Sequence, residues 1–170
     1  MKYLARTCAF LAAAVFAGSD AAATGPAQQI AISPIIEMQG DNIIACGQRV
    51  RFEPSHVQID LALRKEDARP LLAVIAHQDG ERLEGLALKT ATISASDIFG
   101  HEIILPDGGV KRVAAPTSDK ATVFLREYFV SGFELGLRAS DGKTIELQLD
   151  GPSPNSVRAA YLNCAGDFFR

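Results

Sequence analysis

The chain has 170 residues, 48% of them hydrophobic, and a formal net charge of −3. This length is typical of a single domain that can bury a core of its own. The slight acidity and the scattered Lys and Arg residues argue against a nucleic-acid partner, because proteins that bind phosphate backbones are normally basic with clustered positive charge.

The first 23 residues are typical of an export signal. A short positive segment precedes an apolar run over residues 7–17, and the alanines at 21–23 suit a cleavage site. The run is shorter than the roughly 20 residues that a membrane-spanning helix needs, which disfavours an anchor. Cys8 stands at the start of the run, so lipidation is not expected. We predict a periplasmic or secreted protein whose mature chain begins near Thr24 and has no membrane span.

Two cysteines, Cys46 and Cys164, remain after the signal is removed. In an oxidising compartment such a pair usually bonds, and we predict a structural disulfide that closes most of the mature chain into one loop. The alternative is two separate buried thiols, which behave as small hydrophobic residues.

Residues 24–30 are small and polar and predict a flexible tether, followed by a single β-rich domain over 31–170. The domain begins with two short β segments, 30–32 and 35–36. Pro34 interrupts them and favours an edge position, because proline has no amide hydrogen to donate to a neighbouring strand. A turn and a short apolar segment then carry the first of the two cysteines into the core.

Three strands follow in close succession. Residues 56–64 alternate strictly between apolar and polar side chains, as in a half-buried strand. The uninterrupted apolar run 71–76 suits a strand that is buried on both faces. Residues 83–93 predict a long strand with a bulge at Gly85. We expect the three to form an antiparallel meander.

The middle of the chain predicts a small hairpin and a helix. Residues 101–105 and 110–113 flank a strong turn and form the hairpin. The stretch 120–130 suits a strand in part, but a cap at Thr117 or Ser118 favours a helix near 119–130. The same conclusion follows from the helical spacing of Ala121, Phe124, Leu125 and Tyr128.

A hairpin over residues 133–149 and a helix over 154–165 complete the chain. Ser153 and Pro154 are good residues for starting a helix, and Gly166 for ending one. The apolar stripe of the helix recurs at i, i+3, i+4 and i+7 and comprises Val157, Ala160, Tyr161 and Cys164.

These elements predict a mainly β (α+β) fold. We expect one antiparallel domain of seven to nine strands, curled or sandwich-like. The C-terminal helix and one further helix near 119–130 would cover an open side.

The search for catalytic motifs yields near misses. Ser140 and Lys143 have the Ser-x-x-Lys spacing but occupy a predicted hairpin turn. His101-Glu102 lacks the second histidine of a zinc-protease helix. We therefore predict no catalytic, cofactor-binding or metal-binding residue, and no cofactor.

The three histidines, His56, His77 and His101, each stand near the end of a predicted strand. If they converged they could bind zinc or copper, which leaves a metal-binding protein as one alternative. A small secreted hydrolase is another, with His77 paired to Asp79 or His101 paired to Asp97.

Four aromatic residues lie close together in the sequence and predict either core or an exposed groove for a partner. They are Phe124, Tyr128, Phe129 and Phe133.

In outline, a β-rich exported chain that ends in a hairpin, a glycine turn and a cysteine-bearing helix resembles the invasion-associated locus B family of small secreted proteins. No motif matches residue by residue, so the resemblance implies nothing about site residues. The leading prediction is a non-enzymatic protein that binds an envelope or extracellular component through its sheet or loops.

Overall fold

A computed structural model describes residues 29–67 and 69–169. The predicted signal, residues 1–23, and the first part of the tether lie outside the described residues. The first strand begins at Gln29, so the last two residues assigned to the tether belong to the sheet.

Nine strands and two α-helices make up the described chain. The strands are β1 (Gln29–Gln39), β2 (Asn42–Glu53), β3 (Val57–Glu66), β4 (Arg69–Gln78), β5 (Leu83–Lys89), β6 (Ile103–Ile104), β7 (Val110–Ala114), β8 (Gly132–Ala139) and β9 (Thr144–Asp150). The helices are α1 (Asp119–Val130) and α2 (Asn155–Phe168), and a short 3-10 helix spans Ala95–Asp97.

The strands form two antiparallel sheets. One has six strands in the order β1-β2-β3-β4-β7-β6, and the other has three in the order β5-β8-β9. A single large hydrophobic cluster contains side chains from both sheets and from both helices. The predicted mainly β fold with a C-terminal helix and a second helix near 119–130 is therefore confirmed.

Alternation along β2 produces one face of the core. Cys46, Val50 and Phe52 are completely buried, and Gln48 is completely buried between them in the same row. Neither polar atom of the Gln48 amide has a hydrogen-bond partner among the described residues. Burial of an unpaired amide opposes folding, so the apolar side chains around it must supply the stability.

Strand β1 is continuous, and the predicted interruption at Pro34 is wrong. Pro34 pairs with Gln48 in an unbroken register that runs from Gln29 to Glu37. The predicted edge position is confirmed, because β1 is the outermost strand of the six-stranded sheet. At an edge the missing amide hydrogen costs little, so proline does not have to end the strand.

The predicted meander of three strands is also wrong. β3 and β4 pair as expected, but β7 lies next to β4, with Ala114 opposite Leu72. β5 crosses to the second sheet and pairs with β8, where a register shift near Gly85 confirms the predicted bulge. Strand alternation specifies which face of a strand is buried but not which strand lies beside it.

The hairpin predicted at 101–105 and 110–113 has a shorter first strand than expected. Only Ile103 and Ile104 pair with β7. The preceding Glu102 does not pair with β7. Its carboxylate accepts a hydrogen bond from the Leu86 amide (3.0 Å) and forms an ion pair with Arg112 (2.8 Å).

Helix α1 is capped and fixed to the neighbouring loop. The Ser118 side chain accepts a hydrogen bond from the Ala121 amide at 3.1 Å, so Ser118 rather than Thr117 caps the helix. The buried Glu127 carboxylate accepts hydrogen bonds from the hydroxyls of Thr92 (2.6 Å) and Thr90 (2.7 Å). These bonds, first Thr92 and then Thr90, hold the pKa of Glu127 below its ordinary value. An ionised Glu127 therefore joins α1 to the chain that follows β5.

Helix α2 extends further than predicted. Pro154 occupies the capping position, whereas Ser153 is buried and its hydroxyl has no partner among the described residues, so the cap predicted at Ser153 is wrong. The helix continues through Gly166 to Phe168, which is only 1% exposed. Burial of this aromatic ring favours one more helical turn over a stop at glycine.

The disulfide between Cys46 and Cys164 joins β2 to α2. The two Cα atoms are 5.7 Å apart and the residues are 118 positions apart in sequence. Val157 and Phe168 are buried on the same face of α2 as Cys164. The predicted apolar stripe and the bond therefore hold the helix against the same sheet.

Candidate functional site

His56 lies in the turn between β2 and β3, His77 lies near the end of β4, and His101 lies just before β6. The His77 ring lies next to Asp107, with 3.8 Å between Nδ1 and Oδ1, rather than next to the predicted Asp79. His56 is the histidine that faces Asp79, at 4.0 Å, and it is largely exposed. Across residues 29–67 and 69–169, no three His, Cys, Asp or Glu side chains form a group that could hold a metal ion.

The Ser-x-x-Lys segment is a hairpin turn, as predicted. Gly142 has a φ of +85°, and the Asp141 carboxylate accepts a hydrogen bond from the Lys143 amide at 3.0 Å. The Lys143 ammonium also pairs with Asp141, at 2.5 Å. The side chains of this segment therefore serve the turn between β8 and β9.

The aromatic cluster is core rather than exposed surface. Phe124, Tyr128, Phe129 and Phe133 are at most 6% exposed. The rings of Tyr128 and Phe133 are stacked with centroids 4.5 Å apart. Phe129 also stacks on Tyr161 of α2, again at 4.5 Å, so it connects the core to the surface between the two helices.

An apolar groove of about 600 Å³ lies between α1 and α2. We call it the α1–α2 groove. Its floor contains the stacked Phe129 and Tyr161, and its full lining comprises Thr122, Leu125, Arg126, Phe129, Val130, Asn155, Arg158, Ala159, Tyr161 and Leu162. The volume falls within the range of roughly 300–1,000 Å³ that is usual for small-molecule sites.

Backbone contacts at one end hold the two helices together. The Ser153 amide donates to the Phe129 carbonyl at 2.9 Å, which places the start of α2 beside the end of α1. One turn from this junction, Arg126 lies on α1 and Arg158 lies on α2. The groove therefore has one arginine on each of its walls.

Two exposed hydrophobic residues line the groove. Leu162 is 67% exposed and Val130 is 48% exposed. Exposed apolar side chains that share a concave surface are common at binding sites. Burial raises the pKa of Tyr161 to about 12, so its hydroxyl stays protonated at physiological pH.

The charged side chains that line the groove are all positive. The lining includes two arginines and no Asp or Glu, although the whole chain has more acidic than basic residues. Arg158 donates to the Asn155 side-chain oxygen, which orients its guanidinium at the start of α2. The first turn of α2 contributes positive potential and the last turn of α1, which lines the same groove, contributes negative potential, so the two helix ends oppose one another. The groove is therefore apolar, and its two charged lining residues are arginines.

Sequence reasoning did not single out this site. Leu162 and Arg158 lie off the buried stripe of α2, and an apolar residue off the stripe is the one signal that points to a second contact surface. The groove forms only because α1 and α2 meet, and neither helix alone predicts that meeting.

None of the helices in the described part of the chain is long and apolar enough to cross a membrane. The chain matches no protein-family model, no curated protein and no solved structure. The outline resemblance to the invasion-associated locus B family therefore has no match to support it.

Proposed function

We propose that the protein is an exported, non-enzymatic binding protein whose binding site is the α1–α2 groove. The observation that carries this proposal is the exposure of Leu162 and Val130 beside the stacked Phe129 and Tyr161. A ligand with an apolar part would cover these side chains, and the removal of apolar area from water contributes about 25 cal/mol per Å². The proposed surface lies between two helices rather than on the sheet or its loops.

The disulfide supports both parts of this proposal. A bond between Cys46 and Cys164 is compatible with an oxidising compartment, as expected for an exported protein. The bond also anchors α2, and α2 supplies one wall of the groove. A wall that is anchored in the free protein need not be ordered during binding, which favours affinity.

We expect the purified protein to take up N-phenyl-1-naphthylamine, an uncharged dye whose fluorescence rises in apolar surroundings. Ala159→Trp should weaken dye binding by roughly tenfold or more, because Ala159 lines the groove and an indole there would fill it. The measurement is a fluorescence titration at constant protein concentration.

Asn163→Trp is the matched control, since Asn163 is exposed on the same helix but does not line the groove. It should bind the dye as the parent protein does. Far-ultraviolet circular dichroism would show that both variants are folded. A parent protein that takes up no dye, or equal losses in the two tryptophan variants, would contradict the proposal.

The proposal of export makes a separate prediction. The protein isolated from the exported fraction should begin near Thr24 and carry no lipid, because the predicted signal ends in a cleavage site at 21–23. Intact mass spectrometry measures this directly. A mass that still includes Cys8, or one that includes an acyl chain, would refute it.

A further inference from the structure

The two arginines of the α1–α2 groove form no close ion pair, although Arg126 is near enough to the Glu127 carboxylate to help lower the pKa of that group. No carboxylate in the described part of the chain lies within ion-pair distance of Arg126 or Arg158. Arg49 on the large sheet differs, because its guanidinium meets the Asp60 carboxylate at 2.7 Å. Two positive groups on facing walls leave a position between them where an anion would be favoured.

We propose that the α1–α2 groove binds a single-chain amphiphile with an anionic head group. The hydrocarbon chain would lie on Phe129 and Tyr161, and the head group between Arg126 and Arg158. This inference rests on the proposed function, since it takes the same groove and adds the chemistry of the ligand. A guanidinium can donate to two oxygens of a carboxylate or phosphate at once, and such charge-assisted bonds are stronger than neutral ones.

The composition of the groove favours an amphiphile over an extended peptide. A peptide backbone needs hydrogen-bond partners along its length, whereas the floor offers the aromatic faces of Phe129 and Tyr161. A hydrocarbon chain needs only apolar contact, which this floor and the side chains of Leu125 and Leu162 provide. The polar requirement of an amphiphile is confined to one head group, and the two arginines, one on each wall of the groove, offer it two guanidinium groups.

The test is displacement of bound N-phenyl-1-naphthylamine by dodecanoate, dodecyl phosphate or dodecyltrimethylammonium, each below its aggregation concentration. The anions should displace the dye at roughly tenfold lower concentration than the cation. Added salt should reduce the difference in displacing concentration between the anions and the cation, because Arg126 is exposed to solvent and its charge is screened. Preference for only one anion would identify that head group as the ligand's. Equal displacement by all three would overturn the proposal.

The double variant Arg126→Gln/Arg158→Gln should lose the preference for anions, measured by calorimetric titration with the same three amphiphiles so that the result does not depend on dye uptake. Arg82→Gln/Lys120→Gln is the control, because both residues are exposed, neither lines the groove, and the net charge changes equally. This control should keep the preference. A preference that survives in the groove variant would overturn the proposal, whereas failure of the parent to take up dye would overturn the proposed function itself.

Discussion

Replacing Cys164 with serine is expected to lower the free energy of unfolding by about 2–5 kcal/mol. The disulfide joins residues that are 118 positions apart in sequence. In the chain-entropy model, closing such a loop lowers the entropy of the unfolded chain and so raises its free energy by about 4–5 kcal/mol. The total free energy of unfolding of a domain is roughly 5–15 kcal/mol, so the expected loss is a large part of it. Denaturant titration measures it.

Two further variants separate a bond from two independent packing residues. Cys46→Ser should lose about the same free energy as Cys164→Ser, and the double variant little more, because either change removes the same link. The unmodified exported protein, once unfolded, should show no reactive thiol from this pair. Losses that add in the double variant would contradict the prediction.

The second large effect is expected at Gly132, where β8 begins directly after α1. Its φ is +87°, and a Cβ atom there would lie 1.9 Å from the Leu149 carbonyl oxygen. Alanine would therefore meet both an unfavourable backbone conformation, about 1–2 kcal/mol, and a clash with a paired strand, about 1–3 kcal/mol. We expect Gly132→Ala to lose roughly 2–5 kcal/mol in denaturant titration.

Gly142→Ala provides the matched control for the clash. Gly142 has nearly the same φ, +85°, but no atom lies within 4 Å of the position its Cβ would take. The Gly142→Ala variant should lose only the contribution of the unfavourable backbone conformation, about 1–2 kcal/mol of the free energy of unfolding. Equal losses at Gly132 and Gly142 would mean that β9 moves away from the new methyl group at no cost.

Local signals in the sequence were sufficient where one segment determines its own structure. A capping residue at Thr117 or Ser118 and the helical spacing that follows predicted α1, and the alternation over 133–149 predicted the β8–β9 hairpin. The cap signals at Ser153 and Gly166 failed, because they compete with tertiary contacts. Phe168 is buried against the core, and its burial extends α2 beyond the glycine.

The pairing of distant strands and the packing of distant helices could not be predicted from local signals. The pattern of 83–93 predicted a strand but not its transfer to the second sheet beside β8. The groove was missed for the same reason, because its two walls come from α1 and α2, which are separated by a hairpin. Leu162 and Arg158 line a groove only because Phe129 and Arg126 lie opposite them on α1.

Pro34 in the middle of β1 has a consequence for association between copies of the protein. β1 is an edge strand of 11 residues with the side chains of Ile36 and Met38 half exposed or more, a combination that invites a second copy to continue the sheet. The β1–β2 register runs on through Pro34 without a break, and a proline within an edge strand is tolerated where its nitrogen faces away from the neighbouring strand. A proline nitrogen on the free edge offers a second chain no hydrogen-bond donor, which opposes extension of the sheet through β1.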